Sequence, residues 1–350
     1  MALNASGPIA LAGSTVGVSI AAELALGTAT QISINDTAVR TLAGVPSGAI
    51  IMPTNFYGKS SSVPTGLYYA GIQLGCAIAN KVTRINACGA IIGSETTVGT
   101  SRFFLAGAKV GSNGLFYGGC TNNAGAKVNQ VTRINISGVL VGSETTAGTA
   151  RVGLAGALVG TNGLFYGGYI ICGTNRVTRI NACGAIVGLE TTAGTERWYF
   201  AGAKVGTNGL FYGGIRYIGC CVTNFNRVTR INACGAIVGS ETNIGTIRCS
   251  LAGALVGTNG LFYGGCINTF FNNTLTRINA CGALVGSETT IGTARASLSG
   301  ATVGSNGMFY GGNITCGVSN KVTRINACGA IVGSETTVGT ARVGLAGAGL

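Results

Sequence analysis

The stretch Gly260-Leu261-Phe262-Tyr263-Gly264-Gly265 decides the fold, because closely similar stretches recur at five other places in the 350-residue chain. The stretch reads GLYYAG in the first copy, GMFYGG in the last and GLFYGG in between. The copies begin at Gly66, Gly114, Gly163, Gly209, Gly260 and Gly307. Successive copies start 48, 49, 46, 51 and 47 residues apart. A period of this length with several short apolar runs is typical of a propeller or a solenoid.

Each repeat is predicted to form four antiparallel strands, which the last complete repeat illustrates. We expect these strands at 298–304, 308–310, 322–326 and 330–335. Asn306-Gly307 lies between the first two apolar runs, and Asn-Gly is the strongest short hairpin signal. The small side chains of 298–304 suit an innermost strand, where blades converge on one axis. Four such strands make one propeller blade.

The repeats resemble the kelch repeat at three places. Kelch blades carry an arginine before the first strand, an aromatic-diglycine end to the second, and an Asn-x-Val third strand. The matching residues in the last repeat are Arg295, Tyr310-Gly311-Gly312 and Asn320-Lys321-Val322. One difference is that Ile or Val replaces the tryptophan usual in the fourth strand of kelch blades. The resemblance covers residues 61–350 and implies a six-bladed kelch-like β-propeller.

The two ends of the repeat region complement each other. Residues 341–350 read as a first strand without a second, while the first repeat lacks a first strand. We therefore expect the C-terminal strand to complete blade 1, which leaves no open sheet edge. The predicted fold class is all-β: residues 61–350 form a six-bladed kelch-like propeller, and a small β-rich N-terminal module occupies residues 1–60.

The chain is basic, with 22 Lys and Arg against 9 Asp and Glu and a net charge of +13. Such a surface attracts nucleic acid, anionic glycans or an acidic protein partner. No run of Lys or Arg marks a groove, however, so we favour a structural origin for the charge and expect no nucleic-acid partner. Gly interrupts every apolar run long enough for a membrane helix, and we expect no membrane insertion.

The chain has 13 cysteines and no histidine. Without histidine, neither a Ser-His-Asp triad nor a His-ligated metal can be built, and Glu and Arg recur equally in every repeat. We therefore expect no enzyme activity, no cofactor and no metal. Five cysteines occupy one repeat-equivalent position, too far apart for disulfides, and no CxxC pair occurs. This pattern indicates free thiols in a reducing compartment.

Two segments of the repeat vary strongly between copies: the loop after the diglycine and the pair of residues after the arginine. In a four-stranded blade both emerge on the same face, and binding residues are frequent on such loops. Aromatic residues there are predicted to bind ligand, by stacking on sugars or anchoring protein contacts. These candidates are Trp198, Tyr199, Tyr217, Phe225, Phe270 and Phe271. The alternative is neutral drift, or packing between blades by Trp198 and Phe103.

One arginine per repeat forms a second regular set: Arg102, Arg151, Arg197, Arg248, Arg295 and Arg342. Each follows a glutamate by seven residues. In some kelch domains arginines at this position line the central opening and hold acidic ligands, so the resemblance implies a ligand-binding ring. We favour the alternative, in which each Glu–Arg pair braces a connection between the fourth and first strands.

The first 60 residues include the segments 5–9, 34–40 and 55–60, the last reading NFYGKS. They resemble the N-terminal module of tailed-phage structural proteins, especially those of phages infecting cyanobacteria. The resemblance implies a virion tail or fibre protein, made in the host cytoplasm, whose residues 1–60 bind other virion proteins. We expect a homo-oligomer that presents the propeller to a host-surface glycan or protein, or to neighbouring virion proteins. The alternatives are a non-viral cytosolic kelch adaptor for an acidic partner and a purely structural decoration protein.

Overall fold

The computed structural model describes residues 64–350 apart from 123–124 and 219–220. Before residue 64 it describes residues 3, 8–11, 18–24, 32–43, 45, 49–52 and 55. The chain divides into two compact units, Met1–Val63 and Pro64–Leu350. Within the described part of the chain, no helix is long and apolar enough to cross a membrane.

The regular secondary structure described in the first unit is helical, whereas we expected strands. The described residues form α1 (Ile20–Glu23) and α2 (Thr37–Ala43), with one β-bridge between Ala10 and Ser19. Apolar residues of both helices share a small core, because Val39, Leu42 and Ala43 fall on one face of α2. For these residues the β-rich prediction was wrong. Segments 5–7 and 56–60, which carry part of the phage-like motif, lie outside the described residues.

The second unit consists of six four-stranded antiparallel sheets. Blade 1 contains β1 (Thr65–Tyr69), β2 (Lys81–Asn86), β3 (Thr96–Thr97) and β30 (Ala346–Gly349). Blade 2 contains β4 (Ala106–Val110), β5 (Asn113–Tyr117), β6 (Gln130–Ile134) and β7 (Thr145–Thr146). Blade 3 contains β8 (Ala155–Val159), β9 (Asn162–Tyr166), β10 (Arg176–Ile180) and β11 (Thr191–Thr192).

The other three blades repeat this plan and add a short hairpin between their second and third strands. Blade 4 contains β12 (Ala201–Val205), β13 (Asn208–Tyr212), β16 (Arg227–Ile231) and β17 (Thr242–Asn243), with hairpin β14 (Ile215–Ile218) and β15 (Cys221–Asn224). Blade 5 contains β18 (Ala252–Val256), β19 (Asn259–Tyr263), β22 (Thr274–Ile278) and β23 (Thr289–Thr290), with hairpin β20 (Cys266–Ile267) and β21 (Phe270–Phe271). Blade 6 contains β24 (Ser299–Val303), β25 (Asn306–Tyr310), β28 (Lys321–Ile325) and β29 (Thr336–Thr337), with hairpin β26 (Asn313–Ile314) and β27 (Gly317–Val318).

The ring closes as the sequence predicts. Strand β30 pairs antiparallel with β1, with Gly66 opposite Gly349 and Tyr69 opposite Ala346. The first strand of each blade also contacts the first strands of both neighbouring blades, so six inner strands surround one axis. The all-β, six-bladed propeller closed by its C-terminal strand is therefore confirmed.

Two details of the predicted blade were wrong. In blade 6 the fourth strand is Thr336–Thr337 rather than 330–335, because Gly333 adopts a φ of +69°, which a strand does not allow. The hairpin turn is Gly304-Ser305, since Asn306 pairs with Val303 inside the sheet. Gly304 has a φ of +59°, as the first turn residue of a type II′ hairpin requires.

Small residues of the inner strands allow the blades to meet at the axis. A Cβ atom on Gly156 would lie 2.6 Å from the carbonyl oxygen of Gly107 in the preceding blade. The same close approach occurs around the whole ring, and we call these glycines the waist: Gly107, Gly156, Gly202, Gly253, Gly300 and Gly347. The expectation that small side chains occupy the innermost strand is confirmed, and the reason is backbone contact between blades.

Candidate functional site

The six repeat arginines are completely buried inside their blades. All are 0% exposed: Arg102, Arg151, Arg197, Arg248, Arg295 and Arg342. In blade 2 the Nη1 group of Arg102 donates to the carbonyl oxygens of Gly118, at 2.9 Å, and Gln130, at 2.8 Å. Its guanidinium also lies 5.8 Å from the ring centre of Tyr69 in blade 1. The arginines therefore do not line an opening that a ligand reaches, and the ligand-binding interpretation is wrong for them.

Each buried arginine is joined to a glutamate through a threonine. Arg102 Nη2 donates to Thr132 Oγ1, and Thr132 in turn donates to Glu144 Oε1. The corresponding chains are Arg151–Thr178–Glu190, Arg197–Thr229–Glu241, Arg248–Thr276–Glu288, Arg295–Thr323–Glu335 and Arg342–Thr83–Glu95. The favoured brace therefore exists, but its partner was wrong: Arg102 pairs with Glu144, which follows it, and not with Glu95.

The same glutamates fasten the connections between blades. Glu144 Oε2 accepts hydrogen bonds from the backbone N–H of Thr100, at 3.0 Å, and from its Oγ1, at 2.6 Å. Thr100 lies in the connection from blade 1 to blade 2. Burial alone would raise the pKa of Glu144, but the bonds from Thr100 and Thr132 and the charge of Arg102 lower it overall. The carboxylate is thus kept ionised as a structural group.

The two segments that vary between repeats lie side by side. An isolated antiparallel bridge joins the first residue of each pair to the loop after the diglycine, for example Trp198 to Ile215 and Cys249 to Cys266. We define the variable face as the described residues of 72–80, 120–129, 169–175, 215–226, 266–273 and 313–320, with the pairs 103–104, 152–153, 198–199, 249–250, 296–297 and 343–344.

A closed ring of backbone hydrogen bonds surrounds the axis at the variable face. The second residue of each pair donates its N–H to the carbonyl of the equivalent residue in the preceding blade, as Tyr199 does to Gly153 at 2.8 Å. The ring members are Phe104, Gly153, Tyr199, Ser250, Ser297 and Gly344. All six have a positive φ, between +52° and +66°, which non-glycine residues rarely adopt. The complete ring compensates for this strain and leaves a central cavity of about 70 Å³.

Several of the variable aromatic residues pack against one another. A Cβ on Gly153 would lie 2.9 Å from the ring of Tyr199, and that ring centre is 5.0 Å from the ring centre of Phe104. Burial raises the pKa of Tyr199 to about 12. Trp198 and Phe103 are only 5% and 9% exposed. Much of the variation in these pairs therefore serves packing, the alternative that the sequence left open.

The exposed candidates lie on the loops and hairpins between the second and third strands. Phe270 is 77% exposed and Tyr217 is 48% exposed, whereas Phe225 and Phe271 are half-buried. The guanidinium of Arg227 lies 5.5 Å from the ring centre of Phe225. Sequence reasoning missed three exposed aliphatic residues on the same face: Leu74, Ile171 and Val222. Their position in the variable loops was a usable signal, but only aromatic residues were selected.

The described residues contain no group of three or more His, Cys, Asp or Glu side chains that could hold a metal ion. No protein-family model matches the chain, and no curated protein matches it. The site is therefore a closed six-bladed propeller whose variable loops expose large apolar side chains on one face.

Proposed function

We propose that this protein is a non-enzymatic attachment protein whose variable face binds a protein partner. The observation that carries the proposal is that the variable loops expose large apolar side chains that differ from blade to blade: Leu74, Ile171, Tyr217, Val222 and Phe270. Other large apolar residues of the propeller are exposed outside this face, but Ile91, Ile186, Ile237 and Leu284 repeat one position of the blade. The strands below them are nearly identical between blades, so most of the differences between one blade and the next lie in the variable loops. Exposed apolar groups that share one face are typical of interaction surfaces.

A protein partner fits these side chains better than a glycan does. Sugars stack on aromatic faces, and Tyr217 and Phe270 are the exposed aromatic residues of the described variable face. Leu74, Ile171 and Val222 are aliphatic, and aliphatic groups gain most by entering apolar pockets of another protein. A host-surface protein is therefore the partner that we propose, with glycan as an outcome of the test.

We place this attachment protein in a phage virion, at the tail or a fibre. The support is the resemblance of residues 1–60 to phage structural modules, together with the kelch-like pattern of the repeats. In this proposal residues 1–60 bind other virion proteins, the chain forms a homo-oligomer, and the propeller faces the host. The alternative adaptor for an acidic partner depended on the arginine ring, and the full burial of those arginines removes its binding site.

The test is attachment of fluorescently labelled full-length protein to cells of the bacterial host. We expect Ile171→Ser and Phe270→Ser together to weaken attachment by about tenfold, roughly 1.4 kcal/mol. The matched control is Leu189→Ser, because Leu189 is 86% exposed but lies outside the variable face. Equal losses in the double variant and the control, or no loss in either, would contradict the proposal. Competition by host oligosaccharide would show that the partner is a glycan.

A further inference from the structure

The end of the propeller opposite the variable face holds an open cavity on the axis. It has a volume of about 450 Å³, within the size range of small-molecule sites. Inner strands begin at the variable face and run away from it, and this cavity is lined by their far ends and by the hairpin residue Gly304. We call it the lysine mouth, after Lys109 and Lys204 in its wall.

One position of the inner strand differs between blades at this mouth. It is the fourth residue of each inner strand, two residues after the waist glycine. In every blade this residue lies opposite a glycine of the neighbouring strand, as Lys109 lies opposite Gly114. Around the ring this position is occupied by Lys109, Leu158, Lys204, Leu255, Thr302 and Gly349. The wall therefore has two cations on one side, separated by the aliphatic Leu158. The rest of the lining is Gly and Ala with Leu255, Thr302, Pro64 and Leu350.

The two lysines have no partner among the described residues, unlike the lysines of the blade edges. Lys81 and Lys321 lie 3.6 Å from the carboxylates of Glu95 and Glu335. No hydrogen bond or ion pair within the described chain involves Lys109 or Lys204. Thr302, in the same wall, is already engaged, since its Oγ1 donates to the carbonyl of Leu255 at 2.7 Å.

The charged side chains that line the mouth are all of one sign. No aspartate or glutamate is among the described residues that line it. A concave site with one sign of charge and low-dielectric walls concentrates ions of the opposite sign. Lysine ammonium groups act as point charges that accept phosphate and carboxylate oxygens in many geometries.

We propose that the lysine mouth binds a small organic anion, with its charged oxygens between Lys109 and Lys204 and its aliphatic part on Leu158. The shared chemistry is a compact anionic headgroup, phosphate or carboxylate, on a short hydrocarbon chain. The site is separate from the variable face, so it adds a second ligand to the proposed attachment function. Its failure leaves that function untouched.

The test is calorimetric titration of the full-length protein at low salt with two probes, n-butyl phosphate and glutarate. We expect saturable 1:1 binding of one or both, and the stronger probe identifies the headgroup. Lys109→Leu and Lys204→Leu should each weaken binding by about tenfold or more. Both variants should fold, because Leu158 and Leu255 occupy the same position in blades 3 and 5.

Two further variants make the result decisive. Lys127→Leu removes the same charge from the variable face and should leave binding unchanged. Leu158→Ser keeps both lysines but removes the aliphatic contact, and it should weaken binding. The proposal is overturned if neither probe binds the wild-type protein saturably. It is equally overturned if Lys127→Leu weakens binding as much as Lys109→Leu does, because the attraction would then be non-specific.

Discussion

The guanidinium of Arg342 lies 3.8 Å from the carboxylate of Glu95, so an ion pair with a fully buried arginine joins the last repeat to the first. Thr340 adds a hydrogen bond of 2.5 Å from its Oγ1 to the same glutamate. The hydrogen-bonded chain from arginine through threonine to glutamate recurs in every blade, which means that ring closure uses the ordinary contacts of the repeat. Removing one of these groups from any single blade should therefore lower the free energy of unfolding of the propeller.

Blade 3 offers an internal comparison of a buried and an exposed ion pair. Glu190 lies 3.6 Å from Arg151, which is 0% exposed, and 3.4 Å from Arg176, whose side chain is 45% exposed. We expect Arg151→Ala to lower the free energy of unfolding by about 3–5 kcal/mol, because it removes the buried cation beside Glu190 and its hydrogen bonds to the carbonyls of Gly167 and Arg176. Arg176→Ala should cost about 1 kcal/mol or less. Urea denaturation measures both, and equal losses would contradict the assigned brace.

The waist predicts a steric limit at the axis. Gly156→Ala places a Cβ 2.6 Å from the backbone carbonyl of Gly107, so the inner strands must move apart. We expect a loss of about 1–3 kcal/mol in unfolding free energy. The control is Leu158→Ala, two residues along the same strand, which removes volume at the open mouth and should have a smaller effect. A Gly156→Ala variant as stable as the wild type would show that the axis is looser than described.

Stability should fall in acid because of the six braced glutamates. For Glu95, burial raises the pKa, but hydrogen bonds from Thr340 and Thr83 and the charge of Arg342 lower it overall. As pH falls, the unfolded chain therefore binds protons first, and stability begins to drop near the ordinary glutamate pKa of about 4.3. The loss is complete once the pH passes below the lowered pKa of the folded state.

Urea unfolding between pH 7 and pH 3 measures this dependence. Glu95→Gln, which does not titrate, should start from a lower stability at pH 7 and lose less of it on acidification. The interpretation fails if the wild-type unfolding free energy is the same at pH 7 and pH 3.

A cysteine pair on the variable face should be readily cross-linked. The sulfur atoms of Cys249 and Cys266 are 3.0 Å apart on a hydrogen-bonded β-bridge, a backbone pair whose Cα spacing of about 5.5 Å suits a disulfide. A hydrogen bond from Cys249 lowers the pKa of Cys266, so its thiolate forms more easily. We expect glutathione disulfide to oxidise the pair, because Cys266 attacks it and Cys249 then displaces the bound glutathione, releasing two glutathione thiols in total.

Peptide mass spectrometry without reduction detects the product as a linked peptide lacking two hydrogens. Cys249→Ser should instead retain one glutathione on Cys266. Free Cys266 after oxidation of the wild-type protein would contradict the pairing.

The repeat period, the number of blades and the closing strand were predictable from the sequence, because six near-identical copies show the same pattern of apolar runs and glycines. Asn306-Gly307 misled the turn prediction: the glycine is needed for packing, since a Cβ there would lie 3.0 Å from Val256 of the neighbouring blade. The sequence also could not predict which glutamate pairs with Arg102. Glutamates lie on both sides of it in the chain, and only the fold brings Glu144 next to it.

The N-terminal helix was a missed signal of a different kind. Asp36 precedes Thr37–Ala43, and Val39, Leu42 and Ala43 are spaced for one helix face. This spacing predicts a helix, so the segment's own residues did not support the β-rich expectation. In the variable loops, by contrast, the sequence identified where the differences lie but not which side chains are exposed, since Trp198 is buried and Ile171 is not.

The most direct test of the attachment account is a cryo-EM map of whole virions that contain this protein. The account predicts a six-bladed disc at the tail or at a fibre tip, with Phe270 and the rest of the variable face directed away from the particle. A disc whose variable face is buried between other virion subunits, or particles without the protein, would contradict it.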